Sequence, residues 1–438
     1  MEPVKIGLLG LGTVGGGTVT VLTRNAGEIE RRAGRGIEIA RAAAREYRAE
    51  SIRGIERIGQ IGDDAFAVVE DPEIQVIVEL IGGYSPAKEL VLRAIALGKH
   101  VVTANKALIA RHGNEIFAAA RDQGVMVGFE AAVAGGIPII KALREGLAAN
   151  HIEWIAGIIN GTGNFILTEM RDKGRDFADV LKEAQQRGYA EADPTFDVEG
   201  IDAAHKLTIL GSLAFGIPLQ FERCYTEGIS GIQAQDVAYA AELGYRIKHL
   251  GIARRCPEGI ELRVHPTLIP HRRLIANVDG VMNAVLVKGD AVGPTLYYGA
   301  GAGALPTASA VVADLVDVVR ALTTDPTNRV PHLAFQPDEL HDTAVLTMDQ
   351  VETAYYLRLM ALDEPGVMAR IASILGDHGI SIEAIQQKEP GEGETHVPLV
   401  MLTRRVREGR MNDALAQIEA LETVQGSVVR IRLETLAG

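Results

Sequence analysis

A glycine-rich turn near the N-terminus constrains the fold of this chain more than any other feature. The turn spans residues 10–15 and directly follows an apolar run, Val4–Leu9, of the kind that forms a buried strand. In the pattern G-x-G-x-x-G, the first glycine makes a tight turn, the second admits a pyrophosphate, and the third allows close packing of helix on strand. The helix that follows offers unpaired N–H groups to phosphate. The sequence therefore predicts dinucleotide contacts at Gly10, Gly12, Thr13, Val14 and Gly15.

The first 134 residues alternate short β-branched runs with helical patterns. Predicted strands cover 4–9, 37–43, 75–79, 100–103 and 125–129, and predicted helices cover 85–97 and 114–122. This alternation is typical of an α/β, Rossmann-type fold, a doubly wound parallel sheet with helices on both faces. Beyond the second strand, an acidic residue favours NAD and an arginine favours NADP. The chain has both, in Arg45 and Glu46, so the cofactor stays NAD or NADP.

The character of the chain changes twice after this first unit. Longer helical patterns mix with alternating strands over residues 135–322, which predicts an α+β domain. Residues 323–349 contain prolines and little periodicity, as expected of a linker. Residues 350–438 read strand, helix, strand, strand, helix, strand, which is the ferredoxin-like βαββαβ order. We therefore predict domains at 1–134, 135–322 and 350–438.

Composition excludes several classes of function. The chain has 44 basic and 57 acidic residues, a formal charge of -13, and no dense basic stripe that would attract nucleic acid. Its apolar runs are too short to span a membrane, and its N-terminal residues do not resemble a signal peptide. The two cysteines, Cys224 and Cys256, are too few for a disulfide scaffold and read as ordinary thiols. We expect a cytoplasmic protein without a nucleic-acid or membrane partner.

Two charged residues lie where an open α/β sheet binds its ligands. Lys106 follows the predicted strand 100–103, at its carboxyl end. Its ammonium group is a candidate contact for cofactor or substrate, and a solvated lysine at a helix start is the alternative. Glu130 lies among small apolar residues, so its charge needs either a basic neighbour or a cation. A structural ion pair is the alternative for Glu130.

Lys206 is the strongest candidate for acid–base chemistry. It lies on a predicted helix, 201–215, and shares a helical face with Ile209, Leu210 and Leu213, so that face points inward. A lysine on an inward face needs carboxylates to hold its charge, and the candidates are Asp202, Glu191 and Asp197. Such a lysine can act as a general acid or base, whereas a buried structural pair is the alternative.

Five long motifs together identify a resemblance. They are GLGTVG at 10–15, TANKALI at 103–109, GFEAAVAGGIPII at 128–140, NGTGNFIL at 160–167 and GYAEADPTFDVEGIDAAHKLTIL at 188–210. In order, type and spacing they closely resemble homoserine dehydrogenase, over most of residues 1–320. The third unit resembles an ACT domain, including the segment 362–367 that leads from its first strand into its first helix.

The resemblance implies a reaction and roles for residues. The reaction is reversible hydride transfer between NAD(P)H and L-aspartate 4-semialdehyde, which gives L-homoserine. Lys206 would donate the proton to the aldehyde oxygen, and Lys106 would be the second active-site lysine. The implied substrate-binding residues are Gly188, Glu191, Asp202 and Asp197. One departure is local, because Phe196 and Val198 make this segment less acidic than in some relatives and leave the role of Asp197 open.

Further sites are implied by the same resemblance. Besides the glycine-rich turn and Arg45, the implied cofactor-binding residues are Thr103, Lys106 and Gly303. A sodium or potassium ion would be bound at the hinge between the domains by Glu130 and the carbonyl groups of Val133, Gly135 and Ile137.

The ACT-like unit implies regulation. Feedback by L-threonine is the usual role of such a unit in this family, with contacts around Asp363, Gly366, Gly379 and Ser381 at loops that face another subunit. We expect a homodimer or homotetramer, and a purely structural dimerisation module is the alternative.

Two rival functions stay open. One is another Rossmann-type amino-acid or semialdehyde dehydrogenase, which need not share the 188–210 segment. The other is a non-catalytic amino-acid sensor, against which the presence of both Lys106 and Lys206 argues.

Overall fold

The computed structural model describes residues 2–326, 329–387 and 395–436 of the chain. Within those ranges, no helix combines the length and the apolar character needed to cross a bilayer. Both cysteines, Cys224 and Cys256, are free thiols. The three units predicted from the sequence are present, and two of them share one continuous sheet.

The N-terminal unit is a parallel sheet covered by helices. Its elements are β1 (Val4–Leu9), α1 (Thr13–Arg24), α2 (Ala26–Ala33), β2 (Ile37–Ala43), β3 (Gln60–Gly62), α3 (Ala65–Glu70), β4 (Val76–Glu79), α4 (Ala87–Ala96), β5 (His100–Thr103), α5 (Lys106–Asp122) and β6 (Val127–Gly128). The strands are all parallel, in the order β3-β2-β1-β4-β5-β6. This is a Rossmann fold, as predicted, and its strand order reverses between β1 and β4, where such sheets bind ligands.

Several elements of this unit differ from the prediction, and helices α2 and α3 lie in segments for which no element was predicted. The short strand β3 was not expected, because three residues give too little periodicity to recognise. Helix α5 begins at Lys106 rather than at 114, because the Asn105 side chain caps it by accepting a hydrogen bond from Leu108 N.

The second unit is a mixed α+β domain. Its elements are α6 (Ile139–Lys141), β7 (Ile152–Ile158), α7 (Gly161–Lys173), α8 (Phe177–Gln186), α9 (Thr195–Val198), α10 (Ile201–Phe215), β8 (Tyr225–Thr226), α11 (Ala234–Glu242), β9 (Tyr245–Cys256), β10 (Gly259–Pro270), β11 (Met282–Gly289), β12 (Gly293–Ala300) and α12 (Ala304–Ala321). Five strands pair antiparallel in the order β12-β11-β7-β9-β10. Helix α10 packs between this sheet and α5, so it is buried on every side from residue 202 onward.

Helix α12 returns to the first unit. Its apolar residues, among them Val311 and Leu315, share one core with Val4, Ile6 and Leu8 of β1. Helix α12 also packs along α1, where a side chain at Gly17 would meet the carbonyl oxygen of residue 304 at 2.4 Å. The segment 300–304 therefore lies beside the glycine-rich turn.

The third unit has the ACT-type arrangement. Its elements are β13 (Glu352–Leu362), α13 (Val367–Asp377), β14 (Ile382–Gln387), β15 (His396–Thr403), β16 (Val406–Arg407), α14 (Glu408–Glu419) and β17 (Val424–Leu433). Four strands pair antiparallel in the order β17-β13-β15-β14, which confirms the predicted ferredoxin-like fold. The small strand β16 is an addition that pairs with the first two residues of β13.

The sheets of the second and third units are joined edge to edge. Strand β17 pairs in parallel with β10 through Thr267↔Arg432 and Leu268↔Leu433. The ACT-type unit is therefore attached to the same sheet that supports α10, and not through the linker alone.

Candidate active site

The first turn of α10 holds a buried ion pair. Lys206 Nζ lies 2.7 Å from Asp202 Oδ2, one turn earlier, and donates a second hydrogen bond of 2.7 Å to Ile159 O at the end of β7. Lys206 is 8% exposed and Asp202 is 3% exposed. The predicted inward face of this helix is therefore confirmed, and Asp202 is the carboxylate that holds the charge.

A second lysine reaches the same carboxylate from the other domain. Lys106 is the first residue of α5, and its Nζ lies 2.9 Å from Asp202 Oδ1. The two oxygens of Asp202 thus bind two ammonium groups, one from each domain. Lys106 follows β5 at its carboxyl end, and the shared carboxylate brings Lys206 to the same edge of the sheet, where folds of this type bind ligands.

An amide holds the two acidic residues of the segment together. Asn160 Nδ2 donates to Asp202 Oδ2 at 2.9 Å and to Asp197 Oδ1 at 2.8 Å. Its Oδ1 accepts a hydrogen bond of 2.7 Å from Gly163 N and so caps α7. Asn160 therefore fixes the orientation of Asp202 and brings Asp197 beside the lysine pair.

The electrostatics of the cluster separate the two lysines. Burial lowers the pKa of Lys206, against the opposing effect of Asp202. The charge of Asp202 raises the pKa of Lys106. Burial alone would raise the pKa of Asp202, but the two lysines hold that pKa well below its usual range. Burial raises the pKa of Asp197. Lys206 is thus the member of the pair that releases a proton more readily.

The glycine-rich turn has the geometry that the sequence predicts. Gly10 has φ +98°, and a side chain there would meet Leu80 O at 2.7 Å. A side chain at Gly15 would meet Gly10 O at 2.0 Å, whereas nothing lies within 4 Å of the position that a side chain would take at Gly12. The second glycine thus faces open space at the N-terminus of α1, where a pyrophosphate fits.

A cavity of about 730 Å³ extends from this turn. Its lining includes Thr13 at the start of α1 and residues 304–305 at the start of α12. Three charged residues beyond β2 also line it, namely Glu46, Arg48 and Arg53. Arg45, the predicted contact, is exposed and is not among the lining residues, and Gly303 directly precedes α12.

A buried hydrogen-bond chain connects the sheet edge to Lys106. Glu79 at the end of β4 accepts a hydrogen bond of 2.6 Å from Thr103 Oγ1 at the end of β5. Thr103 Oγ1 in turn accepts one of 3.0 Å from Asn105 N, directly before the helix that begins at Lys106. The predicted contact Thr103 therefore positions the helix start.

This geometry supports transfer of a hydride and a proton in one cleft. The glycine-rich turn after β1 fits a dinucleotide, and at the same carboxyl edge of the parallel sheet a charged lysine follows β5 and shares a carboxylate with a second lysine, whose pKa is lowered.

Comparison with known proteins decides the family. Profiles of the homoserine dehydrogenase NAD-binding domain, of homoserine dehydrogenase and of the ACT domain match residues 10–130, 138–316 and 355–423 respectively. A homoserine dehydrogenase of Pseudomonas aeruginosa is 69% identical over 436 residues, and the alignment covers 100% of both chains. This chain belongs to the homoserine dehydrogenase family. The prediction of an NAD(P)-dependent oxidoreductase with an ACT domain is thereby confirmed.

Solved structures of the family agree with the fold. A homoserine dehydrogenase from Thiobacillus denitrificans superposes with a TM-score of 0.95 at 69% identity, covering 100% of this chain and 99% of that one. A hyperthermophilic archaeal homoserine dehydrogenase in complex with NADPH superposes with a TM-score of 0.61 at 25% identity, covering 72% of this chain and 98% of that one.

The predicted cation ligands all lie in the segment 130–137, which follows β6. Glu130 is buried, and its two oxygens accept hydrogen bonds from Ile140 N at 2.9 Å and Lys141 N at 2.8 Å. Burial, together with the charge of Asp314, raises the pKa of Glu130 to about 7. Within the described residues, no cluster of three or more histidine, cysteine or acidic side chains has the spacing of a metal site. Any cation here would therefore depend on carbonyl oxygens.

The other predicted substrate residues surround the lysine pair less closely. Glu191 is exposed on the segment between α8 and α9, and its charge contributes to the raised pKa of Lys106. Gly188 has φ +72° at the start of that segment. The next carbonyl, Tyr189 O, accepts a hydrogen bond of 2.6 Å from Thr162 Oγ1, which ties the segment to α7.

The predicted effector residues separate into two groups. Asp363 and Gly366 precede α13, whereas Gly379 and Ser381 follow it, and all four are exposed. An 11-residue helix is about 16 Å long, so the two groups cannot meet on one small ligand within one chain. A ligand that uses both groups would have to bind between two copies.

Two kinds of site residue were not predicted from the sequence. Asn160 was noted only as part of a motif, although an asparagine directly before a helical pattern is a capping signal. Arg48 and Arg53 lie beyond the position at which the fingerprint expects an adenosine contact, and no local pattern marks them.

Proposed function

We propose that this enzyme catalyses the reversible reduction of L-aspartate 4-semialdehyde to L-homoserine with NADH or NADPH. The observation that carries the proposal is the buried carboxylate of Asp202 with one lysine from each domain on its two oxygens, beside the carboxyl edge of a Rossmann-type sheet. The homoserine dehydrogenases that the chain resembles over its whole length support the choice of substrate.

Lys206 is the proposed proton donor. An ammonium group has three N–H donors, and within the described residues Lys206 uses two of them, on Ile159 O and Asp202. One donor is left for the carbonyl oxygen of the aldehyde. As that oxygen gains negative charge, the ammonium group stabilises it and transfers its proton. The lowered pKa of Lys206 favours the transfer in both directions, because the neutral amine can take the proton back from the alcohol.

Lys106 and Asp202 position the reacting groups. The raised pKa of Lys106 keeps its ammonium charged, so it stabilises the developing negative charge without losing its proton. Asp202 holds both ammonium groups at fixed positions and, with Glu191, Asp197 and the backbone of Gly188, binds the amino and hydroxyl ends of the substrate. The proximity of Asp197 to Asp202, through Asn160, supports its place in this set.

The cofactor would lie against the glycine-rich turn. Gly10, Gly12, Thr13, Val14 and Gly15 would hold the pyrophosphate, with Thr103, Lys106 and Gly303 near the nicotinamide. When bound, the nicotinamide supplies or accepts the hydride. Arg48 and Arg53, with Arg45 nearby, provide positive charge for a 2'-phosphate, and Glu46 provides a partner for a free ribose hydroxyl. The enzyme is therefore proposed to use NADP or NAD.

A sodium or potassium ion fits the hinge segment. Within the described residues, the carbonyl groups of Val133 and Gly135 accept no hydrogen bond, and Ile137 O accepts one, of 2.8 Å, from Ile139 N. With the carboxylate of Glu130 they would supply neutral oxygens and a single negative charge to a monovalent ion. A bound ion would hold the hinge between the domains in place.

The ACT domain is proposed to sense L-threonine, and the enzyme to be a cytoplasmic homodimer or homotetramer. The separation of the Asp363–Gly366 and Gly379–Ser381 groups along α13 supports effector binding between two ACT domains. Dimerisation without an effector is the alternative.

One spectrophotometric experiment tests the reaction. L-homoserine is supplied with either NAD or NADP, and the absorbance of the reduced nicotinamide is followed, with and without KCl and L-threonine. We expect turnover with at least one cofactor, activation by potassium or sodium, and inhibition by threonine. A different amino-acid or semialdehyde dehydrogenase would leave homoserine unreacted, and a non-catalytic sensor would turn over no substrate.

A further inference from the structure

A second cavity, of about 600 Å³, lies away from the lysine pair, between the two catalytic domains. One wall is the second half of α5, which contributes Phe117, Ala118 and Arg121, and the opposite wall is the segment 329–340. Arg144, from the turn after α6, closes one side. This volume lies within the range of small-molecule sites, which is about 300–1,000 Å³.

The cavity combines apolar walls with positive charge. Three arginines line it, Arg121, Arg144 and Arg329, and no acidic residue is present among its described lining residues. Acidic residues outside the lining interact with two of them, Asp314 with Arg144 and Asp325 with Arg329. Arg144 contacts Glu145 at 3.4 Å, and Arg329 donates to the carbonyl oxygens of Gly124 and Thr324 at 2.8 and 3.1 Å. The nearest carboxylate oxygen to Arg121 is that of Asp122, at 3.7 Å and on an exposed side chain.

The arginines are only partly satisfied. Arg144 is 9% exposed, and its Nε has no hydrogen-bond partner among the described residues; the same is true of Arg329 Nε. A guanidinium that is buried without a full set of acceptors costs free energy, which an anion could recover.

A half-buried histidine, His332, lines the cavity together with the three arginines. His332 Nε2 accepts a hydrogen bond of 3.1 Å from Val127 N, and the ring stacks on Phe117 with centroids 5.0 Å apart. Burial, together with the charges of Arg144, Arg121 and Arg329, lowers the pKa of His332 to about 4. The three arginines thus line the same cavity as the aromatic pair of Phe117 and His332.

We propose that this interdomain cavity binds a small organic anion with an apolar body, such as an aryl or alkyl carboxylate. The carboxylate would face the guanidinium groups, and the apolar body would pack against Phe117 and His332. Charge complementarity selects this class over neutral ligands, and the apolar walls select it over inorganic anions. Because the cavity is lined by both domains, its occupant would bridge them at a distance from the reacting lysines.

The test measures binding of 3-phenylpropionate to the full-length enzyme by calorimetry, beside its uncharged amide and inorganic phosphate. We expect saturable binding of the carboxylate at concentrations up to about 10 mM, and at least tenfold weaker binding of the amide and of phosphate. Equal binding of the amide, stronger binding of phosphate, or no saturable binding would each overturn the proposal.

Two sets of variants place the bound ligand. Ala118→Phe fills the cavity and should abolish binding while homoserine oxidation continues. Gln336→Glu adds a carboxylate to the lining, whereas Gln336→Ala does not, so only the former should weaken binding, by tenfold or more. The Gln336 pair tests the proposal even where Ala118→Phe does not fold. If 3-phenylpropionate still binds to both Ala118→Phe and Gln336→Glu, it binds at another site, such as the active site. If Ala118→Phe changes the oligomeric state of the enzyme, this face is a contact between copies of the chain. Either result would reject the cavity as the ligand site.

Discussion

Two buried charge clusters in this enzyme differ in how completely their charged groups are paired. The lysine cluster consists of Lys106, Lys206, Asp202 and Asn160, and lies where the first domain contacts the second. The arginine junction lies where β10 meets β17, and joins the second domain to the ACT domain. Its members are Arg432, Glu408, Glu227, Tyr225, Arg263, Arg254, Glu261 and Glu434.

The arginine junction is saturated with partners. Arg432 is fully buried and donates 2.7 Å hydrogen bonds from Nε to Glu408 and from Nη1 to Glu227. Its Nη2 donates to Tyr225 Oη at 3.1 Å and also contacts Glu408. The two carboxylates come from different domains, so the planar guanidinium joins them with fixed geometry.

The lysine cluster is left incomplete. Two ammonium groups share the single carboxylate of Asp202, so their positive charge exceeds the negative charge that touches them. A third buried lysine makes the contrast clear, because Lys248 uses all three donors, on Asn164, Val278 O and Asp279. A reacting oxygen can bind to an unused N–H donor and to excess positive charge. A cluster whose donors and charges are all paired has neither to offer, and its role is structural.

The largest effect is expected at the junction. Replacing Arg432 by Met leaves the buried Glu408 and the half-buried Glu227 without their shared partner, which should lower the free energy of unfolding by about 3–5 kcal/mol. Urea unfolding measures the change, and Arg430→Met is the matched control. Arg430 is more exposed and lies 3.3 Å from Glu408, so its loss should cost less than about 1 kcal/mol. Equal losses in the two variants would contradict the assigned role, and a large fall in kcat of the folded Arg432→Met enzyme would break the contrast between the clusters.

Replacing Lys206 by Ala should have the next largest effect. Loss of the proton donor should lower kcat by about 100-fold or more, which is about 2.7 kcal/mol, while cofactor affinity hardly changes. Steady-state kinetics and a nucleotide titration measure the two quantities. Lys248→Met is the control, because it removes a buried lysine of the saturated kind and should lower stability while kcat is kept. Wild-type turnover in Lys206→Ala would refute the proposed donor.

The sequence predicted the part of the lysine cluster that lies within one helix. Asp202 and Lys206 are one helical turn apart, and the apolar residues on that face identified the face as buried. The contact of Lys106 with Asp202, and of Arg432 with Glu227, joins residues far apart in the chain. Periodicity reports the environment of a segment and not which other segment supplies it.

The same limit explains the elements that were missed. Strand β9 and helix α12 lie in segments for which no element was predicted, although α12 completes the core of the first domain. The edge pairing of β17 with β10 involves two residues on each strand, too few to leave a pattern in either. The glycine-rich turn was predictable in detail because its geometry is set by five consecutive peptide units, at residues 10–15.

Replacing Asp202 by Asn should move the pH dependence of the reaction. Burial lowers the pKa of Lys206, and the negative charge of Asp202 raises it. Removing that negative charge should therefore lower the pKa of Lys206 further. Homoserine oxidation requires neutral Lys206 and should rise with pH through this pKa. We therefore expect the rising limb of the oxidation profile to shift to lower pH by about one unit or more in Asp202→Asn, in addition to a loss of rate. A limb that stays in place would mean that another group titrates.

The smallest effect is expected at the aromatic cover of the lysine cluster. Lys106 Nζ lies 5.6 Å from the centre of the Phe196 ring, which is 40% exposed. A cation–π contact of this kind contributes about 0.5–1 kcal/mol at an exposed site, so Phe196→Leu should lower kcat/KM about two- to fivefold, and Phe196→Tyr should not. The junction contains the same contact in a buried form, with the Arg432 guanidinium 5.0 Å from the centre of Tyr225. Tyr225→Leu should therefore lower the free energy of unfolding and leave kcat/KM unchanged. If Phe196→Leu and Tyr225→Leu both changed kcat/KM, or both changed only the free energy of unfolding, the two clusters would not differ in role. The distinction between a reacting lysine cluster and a structural arginine junction would then be wrong.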